Sequence, residues 1–169
     1  SEVKRICDKF SKTVIANINS HNQIIISGPI EEIKDSIQLF KENKIKKVIK
    51  LNVSGAFHSP LMYEANVTLN KAINSVNFSD SEIAIYQNVL PIENFKGEKI
   101  KNNLLKQLTG TVLWYDIIVN MKKRGINQII EVGPKTVLSK LTKKIDSTIN
   151  TISIDTIKDL KNNGFKINK

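Results

Sequence analysis

The apolar positions of this chain come in short runs that switch between helical and strand spacing. Val3, Ile6, Cys7 and Phe10 recur at helical spacing on one face. TVIANIN (13–19) and QIIISG (23–28) are short and β-branched, and the turn-like SHN between them makes two neighbouring strands the natural reading. Pro29 suits a first helical turn, and Ile30, Ile33, Ile37 and Phe40 then follow at helical spacing. In KVIKLNV (47–53), Ile49, Leu51 and Val53 alternate with Lys50 and Asn52, the pattern of a half-buried strand. Residues 1–53 therefore read α-β-β-α-β. That order is a ferredoxin-like split βαβ unit lacking its first strand, as if the chain began inside a larger fold.

From Ser59 the pattern changes. Ser59 suits an N-cap and Pro60 a first turn, with Leu61, Ala65, Leu69, Ala72, Ile73 and Val76 continuing a helix. IAIYQNV (83–89) reads as a strand, and EKIKNNLLKQL (98–108) and VLWYDIIVNMKK (112–123) read as helices. Lys122, Lys123 and Arg124 suit the last turn of the second helix, and Gly125 suits a left-handed cap. QIIEVG (128–133) has the look of a buried strand. Gly133-Pro134 then turns into a helix with Val137, Leu138, Leu141 and Ile145 on one face, and TISI (151–154) is a last strand. The expected organisation is a small ferredoxin-like part over 1–53, an α/β part over 54–155, and a frayed lysine- and asparagine-rich tail over 156–169.

Composition narrows the function classes. The chain has 169 residues, 40% of them hydrophobic, which suits a globular fold with a real core. No apolar run approaches the roughly 20 residues of a membrane helix, and the charged, amphipathic start has no signal-peptide character. One cysteine excludes an internal disulfide and fits a reducing, cytoplasmic setting. Cys7 lies on an apolar helix face and reads as a core residue. Two histidines and one cysteine, far apart, offer no metal-ligand spacing. The net charge is +10, from 26 basic and 16 acidic residues, so acidic partners are favoured. Only Arg5 and Arg124 are arginine, and the few aromatics do not interleave with the lysines, which argues against nucleic-acid readout.

The candidate chemistry lies in five stretches. ANINSHNQIIISG (16–28), GAFHSPLM (55–62), QNV (87–89), QLTGTVLW (107–114) and EVGPKTVLSKL (131–141) occur in that order. Together they resemble the C-terminal portion of the malonyl-CoA:acyl carrier protein transacylases, over roughly residues 1–155. Related acyltransferases serve as domains of fatty acid and polyketide synthases. The resemblance implies a small ferredoxin-like subdomain beside an α/β-hydrolase-like acyltransferase subdomain, of which this chain carries the C-terminal part. It implies ping-pong transfer of a malonyl group from malonyl-CoA to the phosphopantetheine thiol of acyl carrier protein, with no bound cofactor or metal. A serine in a G-H-S-x-G elbow is the family's nucleophile and a histidine its base.

Residue by residue, the resemblance makes His58 the base and assigns the backbone carbonyl of Gln107 to hold its ring. Phe57 falls where an aromatic residue goes with malonyl rather than methylmalonyl substrates. Asn17, Asn19 and Gln23 fall near the acyl-chain entrance, although Ser20-His21-Asn22 stands where the family has a serine-proline pair. His21 reads as a surface turn residue, and Trp114 as core. EVGPKT departs from the family's commoner EVGPGK. Lys46, Lys47, Lys143 and Lys144 fall at basic positions that meet the acidic carrier protein. No G-x-S-x-G occurs in this chain, and neither arginine matches the family's carboxylate-binding arginine. The expectation is thus a fragment, inactive alone, of an enzyme that is monomeric when full length, with no nucleic-acid or membrane partner. The rival readings are a fragment of a polyketide synthase acyltransferase domain and a non-catalytic carrier-protein docking module.

Overall fold

The structure, a computed structural model, describes residues 1–45 and 47–165. It is mixed α/β and divides into two compact units, 1–117 and 118–169. The division falls at residue 117, so the expected 54–155 part is shared between the two units.

The first unit opens with α1 (Glu2–Cys7), capped by the Ser1 hydroxyl on the Lys4 N–H. Strands β1 (Val14–Ser20) and β2 (Gln23–Ser27) form an antiparallel hairpin, and α2 (Ile30–Glu42) follows. Pro29 stands one residue earlier than a first-turn proline, at the N-cap, with extended ψ. Ile6, Cys7, Ala16 and Phe40 form the buried centre of this region. Cys7 is 3% exposed, and burial pushes its thiol above the ordinary range.

Two expectations fail between α2 and the middle of the chain. Residues 47–53 form no strand, and Ile49, Leu51 and Val53 are exposed. Alternation alone cannot make a strand, because its N–H and C=O groups need a neighbouring strand. Among the described residues none pairs with this segment. After a 3₁₀ turn (Pro60–Met62), α3 (Tyr63–Asn74) forms where the spacing predicted a helix, yet none of its residues is buried. Leu61, Leu69 and Val76 of its expected apolar face are exposed.

Strand β3 (Ile85–Gln87) pairs antiparallel with β4 (Leu90–Asn94), a strand that the pattern missed. Pro91 and the adjacent polar pair Glu93-Asn94 in LPIEN disguise β4. Helix α4 (Gly97–Gln107) is bolted to β3 by a buried amide pair. Gln87 Nε2 donates to the Ile100 carbonyl at 2.9 Å, and Asn103 Nδ2 donates to Gln87 Oε1 at 3.0 Å. Helix α5 (Trp114–Lys123) carries the division between the units and ends near Gly125, whose φ of +84° is the left-handed cap that the sequence suggested.

The second unit is a right-order βαβ element: β5 (Gln128–Val132), α6 (Val137–Ile145) and β6 (Asn150–Ile154), with the strands parallel. Leu141, Ile149 and Ile154 are buried. β5 is not the buried strand that its apolar run suggested, because Ile130 and Val132 are exposed while Ile129 and Glu131 are partly covered. Glu131 lies beside the start of α6 and caps it from outside. Its carboxylate accepts the Leu138 and Ser139 N–H groups at 2.9 and 2.8 Å. Burial raises its pKa, but these bonds and the Ser139 hydroxyl outweigh burial and hold the carboxyl below its usual range. The described part of the expected tail begins with a helix. Helix α7 (Ile157–Asn162) has a complete capping box between Thr156 and Asp159.

The turn between β5 and α6 carries a test of backbone strain. Lys135 has a φ of +74°, in the left-handed region that suits glycine. Lys135→Gly should stabilise the chain by about 1 kcal/mol, seen as a higher midpoint in urea with an unchanged slope. A lowered midpoint would show that the Lys135 side chain matters more than its backbone.

Candidate active site

The local fold around His58 follows from the residue after it. Ser59 is fully buried, and its hydroxyl accepts the Leu61 N–H at 3.3 Å and donates to the Ala56 carbonyl at 2.6 Å. With Pro60 in the first turn, this starts the 3₁₀ turn. To enter that cap the chain bends sharply, and His58 takes a φ of +59°. Few residues other than glycine adopt this conformation, and histidine is among those that do so more often.

Two successive carbonyls at the end of α4 then hold His58. Its backbone N–H donates to the Leu108 carbonyl at 3.1 Å. Its Nδ1 lies 3.1 Å from the Gln107 carbonyl. A carbonyl oxygen only accepts, so this contact places the ring proton on Nδ1 and leaves the Nε2 lone pair free in the neutral ring. The ring is half-buried. Such an imidazole can take a proton at Nε2 and return it, with a main-chain carbonyl in the orienting place often held by a carboxylate. Among the described residues no serine or threonine hydroxyl bonds to Nε2.

The segment 107–113 is the hub of the site. The Val112 N–H donates to the Ala16 carbonyl and the Ile18 N–H to the Val112 carbonyl, both at 2.8 Å. Asn17 thereby bridges to Val112 in the parallel sense, beside β1. The Thr111 hydroxyl donates to the Ile15 carbonyl at 2.7 Å, and the Leu113 N–H to the Asn88 carbonyl at 2.9 Å. Gly110 makes the tight turn after α4 possible, since a Cβ there would stand 2.7 Å from Val89 Cγ1 and 2.9 Å from the Lys106 carbonyl. Four of the five quoted stretches are thus joined through one backbone segment.

The remaining candidates are placed as follows. Phe57 is 45% exposed rather than core. Asn17 is half-buried and Asn19 buried on β1, while Gln23 pairs with Ser20 at the hairpin end. His21 is exposed and its ring lies tilted at 57° against that of Tyr115, whose hydroxyl lies 2.7 Å from its Nε2. Lys47 is exposed, and Lys46 lies outside the described residues. Lys143 and Lys144 are exposed on α6 in the second unit, beside a cleft of about 470 Å³ also lined by Lys140 and the hydroxyl-bearing Ser139 and Ser153. Trp114 is half-buried, and its indole N–H is buried without a partner among the described residues. Among the described residues, no three His, Cys, Asp or Glu side chains gather as metal ligands, and no helix is long and apolar enough to cross a membrane. Sequence reasoning missed the Leu108 carbonyl and the hub itself. Both act through backbone atoms, which leave no side-chain signature.

Comparison with known proteins finds transacylases similar to this chain. No protein-family profile matches the chain. The malonyl CoA-acyl carrier protein transacylase of Synechocystis sp. is 31% identical over 150 residues, which are 89% of this chain and 50% of that protein. The crystal structure of MCAT from Streptococcus pneumoniae superposes with a TM-score of 0.88 at 31% identity, covering 95% of this chain and 53% of that one. A malonyl-transacylase solved in complex with a type II polyketide synthase acyl carrier protein superposes with a TM-score of 0.86 at 26% identity, over 94% of this chain and 52% of that one. The chain is homologous to the malonyl-CoA:acyl carrier protein transacylases and spans about half the length of the curated relatives it matches.

Proposed function

We propose that this chain is the histidine-bearing part of a malonyl-CoA:acyl carrier protein transacylase that works by ping-pong Ser/His acyl transfer. The observation that carries the reading is the His58 ring, fixed through Nδ1 on the Gln107 carbonyl with Nε2 left to exchange a proton. A serine supplied from outside this chain attacks the malonyl thioester while its hydroxyl proton passes to Nε2. The carbon–sulfur bond breaks, and the departing coenzyme A thiolate takes that proton. In the second half-reaction the phosphopantetheine thiol gives its proton to Nε2 and its sulfur attacks the seryl ester. The ester bond breaks, and the serine oxygen recovers the proton.

Because the nucleophile lies elsewhere, this chain alone is not expected to form an acyl-enzyme. Ser59 is buried and already bonded, and the Cys7 thiol is buried with its pKa raised. Intact-mass measurement after incubation with malonyl-CoA should show the unmodified chain. A stoichiometric malonyl adduct on any serine or on Cys7 would overturn the division of labour between two parts.

The exposed lysines support acyl carrier protein as the acceptor. Lys47, Lys143 and Lys144 offer rim charges to an acidic partner, and such charges act mainly on association rate. Glutamate at Lys143 and Lys144 should slow carrier-protein association at low salt, with the difference shrinking as salt rises. A loss that is insensitive to salt would remove these residues from the docking face. The same lysines favour one second reading, a docking module without catalysis. Tight carrier-protein binding by a chain whose His58→Ala form supports full transfer in the complete enzyme would establish it.

A further inference from the structure

We infer that Ser59 is the positioning residue for His58. It acts by clamping the turn that forces the histidine backbone into its left-handed conformation. The inference rests on His58 being the base of the proposed reaction, but the geometry involves only this chain. Ser59 has no exposed surface, so its hydroxyl faces neither solvent nor substrate. Both bonds of that hydroxyl are local and lie on opposite sides of His58. One goes back to the Ala56 carbonyl at 2.6 Å, two residues before the histidine. The other comes from the Leu61 N–H at 3.3 Å, three residues after it. The Met62 N–H also donates to the Ser59 carbonyl at 3.1 Å, which closes the 3₁₀ turn on the same residue.

Between these ties stands His58 at a φ of +59°, a conformation that a side-chain-bearing residue keeps only when its surroundings hold it. Released, the residue would relax toward negative φ. That rotation swings both the backbone N–H and the ring away from their carbonyls. The two acceptors are successive residues, Leu108 and Gln107, so the N–H and Nδ1 contacts are lost or kept together. Ser59 thus sets the ring tautomer at one remove. With the clamp intact the proton stays on Nδ1 and Nε2 stays basic. Without it the proton is free to move to Nε2, where it would block acceptance of a serine proton.

The test compares the 169-residue chain with Ser59→Ala and Ser59→Cys. The tautomer is read from two-bond ¹H–¹⁵N couplings of the His58 ring, and the amide from hydrogen exchange. Wild type should show one tautomer, protonated on Nδ1. Ser59→Ala should show a mixture and an His58 amide that exchanges at least about tenfold faster, as expected when a local opening is made easier. Ser59→Cys keeps the shape but donates weakly, so it should fall between the two. If Ser59→Ala does not fold, the cysteine variant decides, and a tautomer mixture in it supports the clamp. A purely stabilising serine would lower the melting temperature of both variants and leave the tautomer on Nδ1, and that result overturns the inference. Failure of the enzymatic reading is separately visible, because a fully active His58→Ala enzyme would show that His58 is not the base, whatever couplings its ring shows in the Ser59 variants.

Discussion

Alanine in place of His58 is expected to lower malonyl transfer by ~10²–10⁴-fold in an enzyme that unites this chain with a serine-bearing part, the usual effect of removing a general base. The fold should survive, since the side chain is only half-buried and its ring bonds to a main-chain carbonyl. Both half-reactions should fall if, as proposed, the same Nε2 serves the serine proton in one and the phosphopantetheine thiol in the other. Circular dichroism and thermal melting of the variant, set beside its rate, separate the two roles. Activity lost only in step with unfolding would make His58 a packing residue. Phe57 offers a companion measurement in the same enzyme. Its exposed ring stands next to the base in sequence, so Phe57→Ser should relax discrimination against methylmalonyl-CoA if the ring excludes the extra methyl group. An unchanged preference would detach Phe57 from substrate choice.

Gly97→Ala should be strongly destabilising. A Cβ at this position would stand 2.3 Å from the Phe78 carbonyl oxygen and 2.7 Å from that of Ser79. Both neighbours are backbone, so no side-chain rotation relieves the clash. Gly97 also begins α4 and donates its N–H to Asp80 Oδ1 at 3.0 Å. Relief would require α4 to shift, and the far end of α4 is Gln107, which holds the His58 ring. Overpacking of this kind costs about 3 kcal/mol, the upper end of the usual range. For a chain of this size that is a fall of roughly 6–12 °C in melting temperature. Gly125→Ala is the control, because its Cβ would meet nothing within 4 Å and only the left-handed φ is penalised, by about 1 kcal/mol. Equal melting of Gly97→Ala and wild type would mean that the close approach to Phe78 is absent in solution.

Much of this protein was legible in its sequence. Helices with one apolar face, such as α2 and α5, are specified by spacing that repeats every three to four residues. The β1–β2 hairpin follows from two β-branched runs around a short turn. Caps are equally local. Ser59-Pro60 starts a turn and Gly125 ends a helix, because each satisfies or frees backbone within a few residues of itself. His58 could be singled out only through the stretch around it, since a lone histidine after a strand-like run has no distinctive pattern.

Tertiary structure decided the rest. The alternation in 47–53 satisfies the local rule for a strand, but pairing is non-local and no described segment supplies it. The apolar run in β5 likewise could not say which face would be covered, and α6 lies over only one side. The hub at 107–113 was invisible because its work is done by main-chain N–H and C=O groups, which every residue carries. A residue type reports its side chain and its φ preference. It does not report which distant carbonyl will stand 3.1 Å from an imidazole, and that distance sets the state of His58.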